Sequence, residues 1–145
     1  MKETCEILDE KFGDKKLFST GYTNSAMLNY HCKKDAPMLF SNSVFGRMDD
    51  KLVDIRELKN QDLYIFNNRE MRVEEFSNVC EEVKIHTFKM EEATFYVSEC
   101  LAFDYDKYKQ YYLSVQQKKF YDIPEWLPQG KCYFNDRYYP QEQTK

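Results

Sequence analysis

The stretch KLFSTGYTNSAMLNYHCKKDAPMLF, running from Lys16 to Phe40, decides the fold class. Lys16–Thr20 (KLFST) is a short strand-forming run, and Gly21 breaks it. Thr23 and Asn24 follow, both side chains that can cap a helix start. Ala26, Met27 and Tyr30 then recur at three- and four-residue steps, which predicts a helix burying that face. A polar KKDA connection leads into Pro37–Phe40 (PMLF), apolar throughout, as in a strand covered on both faces of a parallel sheet. Strand, helix and strand within about 25 residues make a βαβ unit.

Outward from this unit, Thr4–Phe12 places Ile7, Leu8 and Phe12 at helical spacing, with Gly13 as its C-cap. Downstream, Ser41–Asp50 (SNSVFGRMDD) reads as a polar loop hinged at Gly46, and Lys51–Leu58 as a short irregular element. Asp62–Phe66 is a third strand bounded by Asn67 and Asn68. Arg69–Val83 is expected to be a helix with Val73, Phe76, Val79 and Cys80 on one side. Val83–Phe88 and Ala93–Phe103 are two more strands, and the short Lys89–Glu92 turn makes them an antiparallel hairpin at one edge. Imperfect alternation in the second predicts a bulge near Glu99.

After Asp104 the chain turns aromatic. Tyr105–Gln117 is expected to be a helix, and Pro124, Pro128 and Gly130 punctuate an irregular remainder. The expected organisation is an α/β domain over 1–104 with an aromatic-rich extension, 105–145, packed on it. The expected fold class is α/β: a three-layer sandwich with a mostly parallel sheet and an antiparallel edge hairpin.

Composition narrows the function classes. With 145 residues, 42% hydrophobic and 32% charged, the chain can bury one sizeable core and is no disordered tail. Its 21 basic against 25 acidic residues give a charge of −4, which argues against a nucleic-acid partner, because phosphate neutralisation needs a surplus of Lys and Arg. No window approaches 18 apolar residues, so no transmembrane helix is expected. Met1–Gly13 lacks a basic start followed by an apolar run, so no signal peptide is expected either. Cys5, Cys32, Cys80, Cys100 and Cys132 are scattered singly, and neither His31 nor His86 stands at finger-like spacing from two of them. No metal is therefore expected. The cysteines read as buried thiols serving as small hydrophobes, with a bridged pair left open for an oxidising compartment.

Signatures of catalysis are missing: there is no G-x-G-x-x-G, Walker A, G-x-S-x-G or H-E-x-x-H. No catalytic residue and no cofactor is assigned. The densest polar cluster, Asn42, Ser43, Arg47, Asp49 and Asp50, follows the PMLF strand at its carboxyl end, where open α/β sheets bind ligands. Tyr22 follows the first strand at the same edge. A guanidinium beside amides and hydroxyls suits a phosphate or a sugar. Tyr22, Asn42, Ser43, Arg47 and Asp49 are therefore the candidate ligand-binding residues. The alternative is an ordinary loop in which Arg47 pairs with Asp49 or Asp50. Asp49 and Asp50 lack a third partner for a cation, and His31 reads as a helix-end cation. The C-terminal aromatics suit sugars or a partner, and more simply pack the extension onto the domain.

As a whole, LFSTGYTNSAMLNYH, APMLFSNSVFGRMDD and ELKNQDLYIFNN resemble the soluble C-terminal domain of polytopic glycosyltransferases. These are the enzymes related to protein O-mannosyltransferases and lipid A aminoarabinose transferase, which use polyprenyl-phosphate sugars as donors. The matching positions are Tyr22, Ala26 and Tyr30, then Asn42, Gly46 and Arg47, then Asp62–Phe66, within residues 15–104. The resemblance implies an accessory domain on the extracytoplasmic face of a membrane, shaping acceptor access without catalysing alone. Its implied partners are the transmembrane part of the same enzyme and a sugar or lipid-phosphate acceptor. The family's donor-binding acidic residues lie in membrane-embedded loops, so none transfers to this chain, and the tail after Asp104 has no counterpart. The competing class is a free-standing cytoplasmic interaction, effector or regulatory module. A small independent enzyme is a third.

Overall fold

The computed structural model describes residues 1–140; the last five positions of the expected C-terminal extension, 141–145, lie outside the described residues. Helix α1, Lys2–Phe12, buries Thr4, Leu8 and Phe12 along one stripe. Strand β1, Leu17–Ser19, is buried at all three positions. Helix α2, Tyr22–Cys32, ends where Lys33 turns left-handed (φ 54°) and its N–H donates to Leu28 O. Strand β2 is Leu63–Asn67, and β3 (Glu82–Lys89) and β4 (Thr94–Leu101) form a hairpin.

The sheet order is β1-β2-β4-β3, with β1 parallel to β2 and the other two pairs antiparallel. A parallel bridge between Ser19 and Met38 extends the parallel half beyond β1. This is the expected α/β architecture, with the antiparallel hairpin at one edge. The PMLF run, however, contributes only that bridge. Its backbone bonds to β1 twice, Ser19 N–H to Pro37 O and Leu39 N–H to Ser19 O, before Phe40 turns left-handed at φ 58°.

Period-two alternation divides the core into two faces. Leu17, Phe66, Phe95 and Val97 face α1 and α2, meeting Leu8, Phe12 and Leu28. Phe18, Leu63, Ile65 and Cys100 face the other way, onto Tyr108, Leu113, Phe134 and Tyr138 from the C-terminal region. The aromatic extension thus supplies the third layer of the sandwich. It begins as α4, Tyr105–Tyr108, whose N-cap Asp104 accepts from Lys107 N–H. Helical turns continue unbroken through Lys109–Leu113, α5 (Ser114–Gln116) and Gln117–Tyr121, wide π-type turns alternating with α. A last helix, α6, is Tyr133–Tyr138; a four-residue helix between the halves, α3, is Asp49–Leu52.

Several expectations are corrected here. In α2 the buried residues are Asn24 and Leu28, whereas Ala26 is exposed, Met27 half-buried and Tyr30 exposed. The helix settles on the sheet through the face its end is tied to: Cys32 forms a disulfide with Cys5 of α1, Cα–Cα 5.1 Å. Arg69–Val83 is no helix but a chain of turns around a short 3-10 element, Val73–Glu75. Phe76, Val79 and Cys80 still reach the core, so their spacing reflects burial and not helical periodicity. Cys80 is bridged to Cys100 of β4, Cα–Cα 5.4 Å. Four of the five cysteines are therefore paired and only Cys132 keeps a thiol, which overturns the reading of all five as small hydrophobes. No bulge interrupts β4: Glu99 pairs in register with both Tyr64 and Lys84. Gly13 stays right-handed at φ −60°, so α1 ends without a left-handed cap.

Phe40 is the joint between the sheet and the third layer. Its ring meets Phe76, Phe103, Tyr108 and Tyr112 edge-on, at centroid separations of 5.0 to 6.3 Å. Its N–H donates to Tyr108 Oη at 3.1 Å, and burial holds that phenol above its usual pKa. Tyr108→Phe strips this amide of its acceptor and is expected to cost about 1–3 kcal/mol. Urea unfolding should show a lower midpoint with an unchanged slope.

Candidate functional site

The parallel strands β1 and β2 both point their carboxyl ends at the N-terminus of α2, and a cleft of about 350 Å³ opens there. That volume is in the range of small-molecule sites. Its walls include Thr20, Tyr22, Asn24, Ser43, Asn67 and Arg69, with Phe45 also on the rim. Tyr22 and Phe45 are exposed aromatics, and Arg69 is exposed and makes no ion pair among the described residues.

Of the five candidate residues, Tyr22 and Ser43 line this cleft. The other three are engaged in holding the 41–50 loop. Asn42 offers its backbone carbonyl to Lys119 Nζ at 2.9 Å, while its side chain stands exposed. Asp49 Oδ2 accepts from Met38 N–H at 2.7 Å, fixing the bridge residue of the sheet. Arg47 is folded inward: Nη2 donates to Ser41 O at 3.1 Å, Nη1 lies 3.5 Å from Asp50 Oδ2, and the guanidinium stands over the Phe120 ring at 5.2 Å. Gly46 is no free hinge, since a side chain there would stand 3.2–3.3 Å from Tyr22 and Met38, and its φ of 79° suits glycine.

Asp50 is the centre of this knot. It is 7% exposed, and Tyr121 Oη donates to its Oδ2. Burial raises its carboxyl pKa, against the opposing pull of the Tyr121 hydrogen bond and Arg47. Burial and the Asp50 carboxylate push the Tyr121 phenol upward in turn. Gln116, 2% exposed, donates to Ser41 O at 2.9 Å and completes the attachment of the loop to the C-terminal helix.

The residues that the sequence reading missed, Asn24, Asn67 and Arg69, sit at the end of β2 and the start of α2. The rule that ligands collect at strand carboxyl ends applies to Asn67-Asn68-Arg69 after Asp62–Phe66 as well as to the loop after PMLF. Asn67 Oδ1 accepts from Arg69 N–H and from Asn24 Nδ2, both at 3.1 Å. Because the backbone amide can only donate, it fixes which end of the Asn67 amide faces Asn24. Asn24 must then present Nδ2, and its Oδ1 is left buried without a partner.

A second polar group lies on the same face of the sheet as α2, under α1. His86 Nε2 is 3.1 Å from Glu99 Oε2, and Tyr64 Oη is 3.5 Å from Glu99 Oε1. The pair opens onto a separate cleft between α1 and β3, where Thr87 is the one serine, threonine or cysteine among the described residues. Among the described residues no three His, Cys, Asp or Glu side chains gather as a metal site, and no helix is long and apolar enough to cross a membrane. Compared with known families, curated proteins and solved structures, the chain matches none of them.

Proposed function

We propose that this chain is an extramembrane accessory domain of a membrane glycosyltransferase that uses polyprenyl-phosphate sugar donors, recognising part of a substrate without catalysing transfer. The observation that carries this reading is the cleft at the shared carboxyl ends of β1 and β2, which gathers amides, hydroxyls, exposed aromatic rings and an arginine but no nucleophile with a base beside it. Rings and amides suit a sugar, and Arg69 suits an anionic group. The two disulfides add support, because such bridges persist in oxidising compartments such as the outer face of a membrane.

Purified domain incubated with polyprenyl-phosphate sugars and candidate acceptors should give no turnover. Turnover that a point substitution in this chain abolishes would overturn the non-catalytic role. A second reading, a free-standing interaction module, is favoured by Val44, Phe45, Met48 and Leu52, which stand exposed on one short segment. It predicts function without any membrane-spanning partner, whereas the first expects hydrophobic helices encoded in the same reading frame.

A further inference from the structure

We propose that the α2 cleft binds an anionic sugar, a monosaccharide unit carrying a phosphate or carboxylate, with its hydroxyl on Asn24 and its anionic group between the start of α2 and Arg69. This deepens the recognition reading of the same cleft and rests on it.

Two independent features require opposite chemistries in one ligand. The first is an acceptor without a donor. Asn24 is 7% exposed, lines the cleft, and holds its Oδ1 buried and unpartnered through the orientation that Asn67 and Arg69 N–H impose. Leaving a buried carbonyl unpaired is costly, and a sugar hydroxyl supplies the missing donor. The second is a set of donors without an acceptor. Helix α2 is 11 residues long, its N-cap is Gly21, and among the described residues no side chain caps its first turn. The amides there present partial positive charge, which favours an anionic oxygen. Arg69, exposed on the cleft wall, adds a forked donor for the same group. Tyr22, 55% exposed at the first position of α2, offers a ring face to the sugar's C–H surface. A bare phosphate would satisfy the donors and leave Asn24 unpaired; a neutral sugar would do the reverse.

Gly21 allows a test in which lost binding cannot be lost folding. Its φ of −165° is extended backbone open to any residue, and an added Cβ meets nothing within 4 Å. Gly21→Asp should therefore cap α2 and keep or slightly raise the melting temperature, while its carboxylate occupies the anion position. NMR titrations of the whole chain with glucose 6-phosphate, glucuronate, glucose and inorganic phosphate should shift amides at 20–24 and 67–69. The two anionic sugars should bind at least tenfold more tightly than glucose or phosphate. Gly21→Asp and Arg69→Ala should each weaken the anionic sugars about tenfold or more and leave glucose unchanged. A polyprenyl-phosphate sugar in detergent, run beside the soluble ligands, separates the sources: tighter binding of the lipid-linked form assigns the anion to a lipid phosphodiester, and equal binding to a free sugar acid or ester. The proposal is overturned if the folded protein shows no shifts at these amides at 10-fold molar excess and above, if phosphate alone binds as well as glucose 6-phosphate, or if Gly21→Asp binds unchanged. Turnover overturns the accessory role and leaves this ligand assignment standing, so the two readings fail separately.

Discussion

Reducing the two disulfides should unfold much of the population that is folded under oxidising conditions. The bridges close segments with sequence separations of 27 and 20 residues, and chain-entropy arguments give each about 3–4 kcal/mol. Marginal domains have only about 5–15 kcal/mol in total. Cys80 and Cys100 are buried in the layer under the C-terminal helices, and Cys100 lies on the central strand β4. Cys5–Cys32 instead ties the two helices of the opposite layer to each other. A Cys80→Ala/Cys100→Ala variant should melt roughly 10 °C lower than the parent, and reductant should lower it again by severing the remaining bridge. Thiol titration of the denatured, unreduced chain should find one reactive sulfur, Cys132. Five free thiols together with a melting temperature insensitive to reductant would refute the pairing.

The other large effect is expected at Arg47. Its side chain is 14% exposed and faces Asp50, which is 7% exposed. Truncation to alanine removes the only cation paired with that carboxylate among the described residues and leaves Ser41 O with Gln116 as its side-chain donor. Breaking such a buried pair costs about 3–5 kcal/mol. The pH dependence has a definite sign. Burial raises the folded pKa of Asp50 above its ordinary 3.8, so its contribution is fully present below 3.8 and is lost as pH rises through the raised value. Arg47→Ala removes a group that pulls this pKa down, so its loss relative to wild type should be larger at pH 7 than at pH 4. Asp50→Asn, neutral throughout, should gain relative to wild type over the same interval. Denaturant midpoints at pH 4 and pH 7 for the three proteins decide it. Equal stability of Arg47→Ala and wild type at both pH values would return Arg47 to the list of ligand-binding side chains.

Strands were the most legible part of this sequence. KLFST, DLYIF and the two runs around Lys89–Glu92 each became a strand, because alternation and turn residues act locally. What escaped depended on partners far along the chain. The buried face of α2 is chosen by its bridge to Cys5 and by Asn67, 43 positions on from Asn24. Phe76, Val79 and Cys80 mimic helical spacing because a bridged loop pushes them into one cluster. The pairing of Arg47 with Asp50 was one of the two alternatives open in the sequence, whereas the Phe120 ring under Arg47 and the Met38 amide on Asp49 come into contact with them only after folding. The site showed the same split. Its position at strand carboxyl ends was legible, whereas Asn24 became a candidate only through the hydrogen-bond direction that Arg69 N–H imposes.

The way PMLF ends has a bearing on association between molecules. Beyond β1 the sheet gains only two backbone bonds before Phe40 turns left-handed and its amide is taken by a tyrosine. A further chain finds no continuous row of free groups on that side, and Pro37 adds no donor. The opposite border is β3, eight residues long and, among the described residues, hydrogen-bonded only to β4. Any strand-to-strand growth therefore starts from β3, where Glu82, Lys84 and Lys89 would first have to shed water. Two molecules that did join there, border to border, would consume the one open side that each possesses. Growth by this route stops at a pair and cannot propagate into a fibre.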